Sequence, residues 1–426
     1  MASTRTSSLR PRGWSSPNYA RRRGGCCMHE SGKSPVVIWV NSWAWPNIMG
    51  FLKSFQGCGV PVYVAGEAEA LSYLRGSLSC AGCVVFDSQD LGARVDQICN
   101  WVARSGFSGR PQLYLLSDML IDQLLAYRSV LERHFVLATQ IDEIIYNIID
   151  KSKCMDIVSA GGYRCPKSMY FDSSLRISEK LQSLQFPIVV KPVGYVNSFG
   201  FKVCIANDSE SAVEVLSHLV EKGVSCVAQE YIGGDDSDVY IYLFNRTKEG
   251  GFFSDAVVRK LSQSPVGAGI MSLGVTVDDD EVVRISRDIV GLFGFWGSGG
   301  VELKRNNGEL YFIEFNARCE GIHGISLVSG ANVVKAWYDY LDSSVVSNVV
   351  PAPGSYYLDE FSFFMSMRSD PMRLRNLKVI LSAFLRGRVY LALFFLRDPV
   401  PFARYALRTV SVKMHRLLSR KGRGGQ

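Results

Sequence analysis

Residues 300–318 read Gly300-Val301-Glu302-Leu303-Lys304, then a turn at Asn306-Asn307-Gly308, then Glu309-Leu310-Tyr311-Phe312-Ile313-Glu314-Phe315-Asn316-Ala317-Arg318. Asn-Gly between two alternating segments is a strong hairpin signal, because both central residues of the favoured turn need positive φ. Counted from that turn, Glu302 and Glu314 are equidistant to within one residue. The strand period of two puts Glu314 and Asn316 on one face. Two carboxylates and an amide oxygen then converge. These are hard donors in the number Mg²⁺ takes when phosphates supply its other ligands. The alternative is an exposed hairpin face, but Ile313-Glu314-Phe315-Asn316 sets its polar residues into an otherwise apolar strand.

Other cations and loops could complete such a site. Lys191-Pro192 ends an apolar strand that begins at Ile188, and the loop after it runs Val193-Gly194-Tyr195-Val196-Asn197-Ser198-Phe199-Gly200. A strand-end lysine beside a loop rich in glycine and hydroxyl can hold phosphate, although Lys-Pro also simply terminates strands. Gln229-Glu230-Tyr231-Ile232-Gly233-Gly234 reads as an interdomain hinge whose exposed backbone could pair with a flat base. Arg259-Lys260 adds two adjacent cations, and Arg318 follows Asn316 by two residues.

Three further motifs carry less. Gly32-Lys33-Ser34 looks like the end of a phosphate-binding loop, but Cys27 stands where glycine is needed and the segment precedes a strand instead of following one. Cys80 and Cys83 have redox or zinc spacing, yet no second pair or nearby histidine completes a site. His323, four residues after Cys319, lies near the metal strand, and a hydrogen-bonded structural histidine is its favoured role.

The elements that must position these residues follow from periodicity. Apolar runs at 36–40, 60–64, 83–86 and 113–116 alternate with helical stretches, which predicts a parallel α/β layer. Ser117-Asp118 opens a helical region reaching Asp150. Residues 188–230 read strand, glycine-containing loop, strand, helix, strand, a compact α+β lobe. Strands at 239–244 and 254–261 and a helix over 279–293 precede the hairpin, and a linker at Pro351-Ala352-Pro353 leads to a basic, partly amphipathic helical tail. The expected division is a disordered basic tail over 1–34, an α/β domain over 35–117, a helical linker over 118–185, a small lobe over 186–232, a large lobe over 233–350 and a basic extension over 351–426.

At 426 residues, 47% apolar and 20% charged, the chain can bury an ordinary core, which excludes disorder throughout. Its eleven cysteines are scattered and several sit in apolar runs, so they are read as reduced. The net charge of +7 conceals an asymmetry: residues 371–426 hold thirteen Lys/Arg against Asp398 alone, and residues 1–34 hold seven against Glu30. Basic ends on an acidic body suggest an anionic partner, such as membrane lipid or acidic polymer, or only a solvated face; no nucleic-acid-reading domain is expected. No apolar stretch approaches the roughly 18 residues of a membrane span. The N-terminus lacks the apolar core of a secretory signal, so a cytoplasmic chain is expected, with peripheral membrane contact through the C-terminus as an option. Met28, just before the first strand, could be the true start, and a homodimer is compatible with the sequence.

The ordered set Asp150-Lys151, Phe186-Pro187-Ile188-Val189-Val190-Lys191-Pro192, Ser198-x-Gly200, Gln229-Glu230-Tyr231-Ile232, Val301-Glu302-Leu303-Lys304 and Ile313-Glu314-Phe315-Asn316-Ala317-Arg318 resembles the ATP-grasp superfamily over about residues 36–343. The nearest type is the carboxylate–amine ligases, D-aspartate ligase-like and carbamoyl-phosphate-synthase-like. The resemblance implies a pre-ATP-grasp parallel α/β layer followed by a two-lobed ATP-grasp fold, α/β and α+β in class, with a basic helical C-terminal segment. It also implies that Lys151 and Lys191 hold ATP phosphates under a lid at Ser198, Phe199 and Gly200. Backbone at Glu230 and Ile232, within Gln229-Glu230-Tyr231-Ile232, would pair with adenine, and Asp236 or Asp238 would take the ribose hydroxyls. Glu302, Glu314 and Asn316 would bind Mg²⁺ or Mn²⁺, two ions being expected. Arg318, with Arg259 and Lys260, would face the transferred phosphoryl group and the developing tetrahedral anion.

The implied activity is ADP-forming amide ligation between a small carboxylate and an amine, through an acyl phosphate. Two departures stand out: the family's Asn-Pro-Arg is Asn316-Ala317-Arg318, and the lid has fewer glycines. Neither removes a ligand. The rival expectations are a non-catalytic ATP-binding regulatory or scaffold module, and a bicarbonate-using carboxylase or carbamoyl-phosphate-type component. For the latter, no Met-Lys-Met biotin-attachment pattern occurs.

Overall fold

A computed structural model describes residues 33–41, 45–193, 203–267 and 269–409 of the chain. The lid residues Ser198, Phe199 and Gly200, the tail over 1–32 and residues 410–426 lie outside the described residues.

The first apolar runs form β1 (Val36–Trp39), β2 (Val62–Gly66), β3 (Gly82–Val85), β4 (Gln112–Leu115) and a short β5 (Val136–Leu137). They pair in parallel in the order β3-β2-β1-β4-β5. Val36, Val37 and Ile38 are fully buried, because helices cover both faces of a parallel sheet and a continuous apolar run is then required. Strand order reverses about β1, so the crevice at the carboxyl ends of β1 and β4 is a topological switch point.

The small lobe is a four-stranded antiparallel sheet of β6 (Ser168–Phe171), β7 (Ile188–Pro192), β8 (Cys204–Ala206) and β9 (Cys226–Glu230), ordered β6-β9-β7-β8. The helix Ser209–Glu221 buries Ala212, Leu216 and Leu219 in the same core as Ile188, Val190 and Ala228. Asp208 starts it by accepting from the Ser211 N–H at 2.8 Å, the side-chain cap that an otherwise orphaned first-turn donor needs.

The large lobe holds β10 (Val239–Arg246), β11 (Phe252–Ser264), β12 (Ile270–Val277), β13 (Gly297–Asn306), β14 (Glu309–Asn316), β15 (Tyr356–Leu358) and β16 (Val389–Leu391), ordered β14-β13-β10-β11-β12-β15-β16. One face, with Tyr242, Phe244, Val301 and Phe315, packs against Val282, Ile289, Val290 and Phe293 of the helix Asp280–Phe293. From the other face, Ile241, Leu243 and Val258 enter one core with Trp337 and with Val36 and Ile38 of the first sheet. Trp337 also donates its indole N–H to the Ala138 carbonyl at 2.9 Å, fixing the large lobe onto the α/β layer.

Three features depart from the sequence reading. β12 was not expected. The region 118–150 is not one helical run but the helices Asp118–Leu124, Arg128–His134 and Glu143–Ile149, with β5 between the last two. The segment after Pro353, expected as a basic helical extension, does contain the helix Arg373–Leu385, but it also completes the large sheet: Leu358 pairs with Leu273, and Val389 with Tyr356. Three-residue strands carry too few alternations for periodicity to register. Among the described residues no helix is long and apolar enough to cross a membrane.

Candidate functional site

The hairpin turn has Asn307 at φ 51° and Gly308 at φ 84°, the paired positive values that the Asn-Gly signal requires. From there β13 and β14 pair regularly from Asn306↔Glu309 to Leu303↔Phe312; the register then shifts, and Glu302 faces Glu314 with Gly300 facing Asn316. Without that bulge Glu302 would face Ile313, and Glu314 would turn to the opposite side. The one-residue mismatch in the sequence is therefore absorbed by Ile313, and both carboxylates reach one face with Asn316 beyond them. Gly300 allows this close packing, since a Cβ there would sit 2.9 Å from Glu320 Oε1.

Lys260 and Arg259 separate on the sheet. Ile241 faces both Glu302 and Val258, so Lys260, two residues past Val258, shares the Glu302 face and donates from Nζ to Glu302 Oε1 at 2.9 Å. Arg259 faces Tyr240, which faces Leu303 on the other side. Its Nε donates to the Ser237 carbonyl at 2.5 Å and its guanidinium lies 5.9 Å from the Tyr240 ring centroid. The structure thus brings Lys260 to the carboxylates and leaves Arg259 away from them, because neighbours on a strand point to opposite faces.

Lys304, to which the sequence reading gave no role, lies two residues beyond Glu302 on the same face. Its Nζ is 3.4 Å from the Gly234 carbonyl and 4.6 Å from the Tyr231 ring centroid. Burial lowers its pKa, with Asp236 and Asp238 opposing. The period of two counted from Glu302 was the signal that could have found it.

Two lysines converge on the carboxylates, Lys151 from a helix packed on the large lobe and Lys191 from the small lobe. Asp150 caps the helix Lys151–Ala160 by accepting from the Ser152 and Lys153 N–H groups at 2.9 and 3.2 Å, which places Lys151 at the helix start with Nζ 4.0 Å from Glu314 Oε1. Lys191, on β7, has its pKa lowered to about 8 by burial and by the Lys151 charge, while Glu314 and Glu302 oppose the shift. Burial alone would raise the Glu314 pKa, but Lys151, Lys191, Arg318 and Lys260 outweigh it and hold the carboxyl below its usual range. Glu314 therefore stays ionised at neutral pH.

Arg318 is fixed from three directions: Nε lies 3.1 Å from Asp118 Oδ1, Nη2 lies 3.5 Å from Asn316 Oδ1, and Nη1 lies 4.0 Å from Glu320 Oε2. Burial pushes Glu320 up to about 7 against the pull of Arg318. His323 is fully buried, accepts at Nδ1 from the Glu320 N–H at 3.0 Å, and is driven down to about 4 by burial. A neutral imidazole that caps its own turn has a structural role, as the sequence suggested.

On the expected adenine side, the Glu230 N–H donates to the Lys167 carbonyl at 2.9 Å and the Tyr231 N–H to the Pro187 carbonyl at 3.0 Å, which leaves the Glu230 carbonyl and the Ile232 N–H as the backbone groups that would meet a base. Gln229 is buried and donates to Ser168 Oγ at 2.9 Å. Ile232 lies two residues past the end of β9. Asp236 accepts from the Gln263 N–H at 3.1 Å, Gln263 Nε2 at 2.7 Å and the Gly267 N–H at 3.2 Å. Asp238 accepts from the Asp235 N–H at 2.7 Å. Asp236 and Asp238, one or the other expected on a ribose, each also hold a turn of the protein.

Among the described residues no group of three His, Cys, Asp or Glu side chains could hold a metal unaided. Two carboxylates and one amide oxygen, flanked by Lys151 and Lys260, suit a cation that arrives with phosphate oxygens completing its shell. The donor set therefore fits a magnesium nucleotide better than a free ion.

Beside this cluster, a cavity of about 370 Å³ opens at the switch point of the first sheet, lined in part by Trp39, Val40, Asn41, Glu67, Arg94 and Met119. Arg94 donates from Nε to the Ser88 carbonyl at 2.7 Å and from Nη2 to Glu67 Oε1 at 2.8 Å and Gln89 Oε1 at 2.7 Å. Asp118, which holds Arg318, immediately precedes Met119 in the cavity wall.

Comparison with known proteins bears on the fold that carries these residues. Residues 148–322 match the model of the ATP-grasp domain, a segment running from the cap before Lys151 to just beyond Arg318. A D-alanine–D-alanine ligase from Fusobacterium nucleatum is 25% identical over 196 residues, 44% of this chain and 62% of that protein, so the likeness spans less than two thirds of the relative. An L-amino acid ligase from Bacillus licheniformis superposes with a TM-score of 0.53 at 17% identity, over 72% of this chain and 75% of that one. A biotin carboxylase from Campylobacter jejuni gives 0.57 at 12% identity, over 75% and 74%. Residues 148–322 form an ATP-grasp domain.

Proposed function

We propose that the chain is an ADP-forming carboxylate–amine ligase. The observation that carries this reading is the placement of Glu302, Glu314 and Asn316 on one sheet face, with Lys151 from a large-lobe helix and Lys191 from the small lobe converging on Glu314. Oxide is too poor a leaving group for an amine to displace from a carboxylate directly. A carboxylate oxygen therefore attacks the γ-phosphorus of ATP, ADP leaves, and the amine displaces phosphate from the resulting acyl phosphate. Mg²⁺ held by the three oxygen donors would neutralise phosphate charge. Lys151 and Lys191 position the phosphates, Lys260 orients Glu302, and Arg318, fixed by Asp118, faces the anion that develops at the carbonyl. The complete donor set favours turnover over a non-catalytic ATP-binding module.

The amine side of the reaction is assigned to the switch-point cavity. Its volume falls in the range of small-ligand sites, and the Arg94–Glu67 ion pair in its wall would exchange partners with the carboxylate and ammonium of an amino acid zwitterion. Arg94→Gln is expected to raise the amine KM about tenfold with little change in the KM for ATP, the loss of roughly one charge-assisted hydrogen bond; equal changes in both constants count against this assignment. The parent proposal is tested by ADP release from ATP against a panel of amino acids and small carboxylates, with hydroxylamine present. Acceptor-dependent ADP release with a trapped hydroxamate supports it, and AMP formation or acceptor-independent hydrolysis alone removes it.

A further inference from the structure

The helix Arg373–Leu385 is amphipathic in two directions. Its inner side is complete: Ile380 lies in a core with Leu273, Leu358 and Phe363, Ala383 is buried, and buried Asn376 donates to Asp370 Oδ2 at 2.9 Å, which also accepts from Ser262 Oγ at 3.0 Å. The outer side nevertheless carries large apolar residues, with Leu374 69%, Leu377 40%, Leu381 64%, Phe384 48% and Leu385 83% exposed. At 3.6 residues per turn these five fall within an arc of about 100°, distinct from the buried one. A continuous apolar stripe on an exposed helix costs solubility unless something covers it.

Its surroundings identify what covers it. Arg373 borders one edge of the stripe, and Arg375, Lys378 and Arg386 follow on the other. From Pro371 to Arg397 there is no acidic residue and there are six Lys/Arg. Leucine and phenylalanine on one arc, with cations at its margins, match the interface between acyl chains and anionic headgroups. We propose that this face docks on an anionic lipid bilayer, with the helix lying in the headgroup layer and Leu374, Leu377, Leu381, Phe384 and Leu385 pointing into it. The proposal is independent of the ligase reading, because none of these residues belongs to the nucleotide site.

The test is co-sedimentation of the full chain with vesicles of phosphatidylcholine plus phosphatidylserine and with vesicles of phosphatidylcholine alone. Binding is expected only to the anionic vesicles and should weaken as salt rises. Leu377→Glu combined with Leu381→Glu, both solvent-facing, should lower vesicle affinity at least about tenfold with an unchanged Tm. Arg375→Glu with Lys378→Glu should remove the lipid-charge preference. Three outcomes overturn the proposal. The chain binds neither vesicle; the Leu377→Glu/Leu381→Glu chain binds like the wild type, so that the stripe is not what binds; or the stripe variants abolish a self-association in solution while leaving vesicle binding intact, so that a second copy covers this face.

Discussion

Replacing Glu314 with glutamine is expected to slow ADP formation by about 100-fold or more, the effect of losing a few kcal/mol of metal-mediated charge stabilisation. Glu314 is placed beside Glu302 by the bulge at Ile313 and has Lys151, Lys191, Arg318 and Lys260 around it. Removing its charge does two things. On the proposed reading it deletes a metal donor, and it leaves the cations unbalanced, so that Lys191, whose charged form Glu314 supports, is pushed further below about 8. Steady-state kinetics at saturating ATP and Mg²⁺, with Tm as a control for folding, measures this directly. A variant that keeps wild-type turnover would mean that Glu314 holds no metal.

Lys191→Ala is expected to reduce turnover by about 100-fold, in the range typical of losing one preorganised electrostatic contact at a transferring group. It carries its own pH signature. Because the free-state pKa of Lys191 is lowered to about 8, chiefly by burial, the ammonium is mostly present at pH 7 and is lost as pH rises through that value. ATP affinity in the wild type should therefore fall between about pH 7 and pH 9, and that fall should be absent in Lys191→Ala. Bound phosphate favours the charged lysine and moves the midpoint upward in the complex. An identical pH profile in the variant would assign the titration to another group. The double variant with Glu314→Gln should cost less than the product of the two single effects if, as proposed, both residues act on one phosphate–metal unit.

How far the site could be read from sequence depends on the length scale of each signal. The Asn307-Gly308 turn and the alternation around it made the hairpin legible, because turn chemistry and strand period are local. The bulge was not legible: nothing in Ile313-Glu314-Phe315 marks which residue is extra, and only the register across β13 reveals it. Arg259 and Lys260 could not both serve one face, yet choosing between them requires the pairing of β11 with β10 and of β10 with β13. Lys304 was accessible to the same period-of-two argument that found the carboxylates. The turns that Asp236 and Asp238 hold were not legible, because the Asp236 partners Gln263 and Gly267 are distant in sequence and Asp238 acts on Asp235 through a turn. The strands Tyr356–Leu358 and Val389–Leu391 are too short to register, and their place in the sheet is decided by pairing with β12.

The most direct test of the central claim is calorimetric titration of ATP into the purified chain with and without Mg²⁺. The two-carboxylate, one-amide donor set beside Lys151 and Lys191 is expected to bind ATP at least about tenfold more tightly when Mg²⁺ is present, a gain that Glu314→Gln should abolish. Absence of ATP binding, or binding that Mg²⁺ leaves unchanged in the wild type, would contradict it.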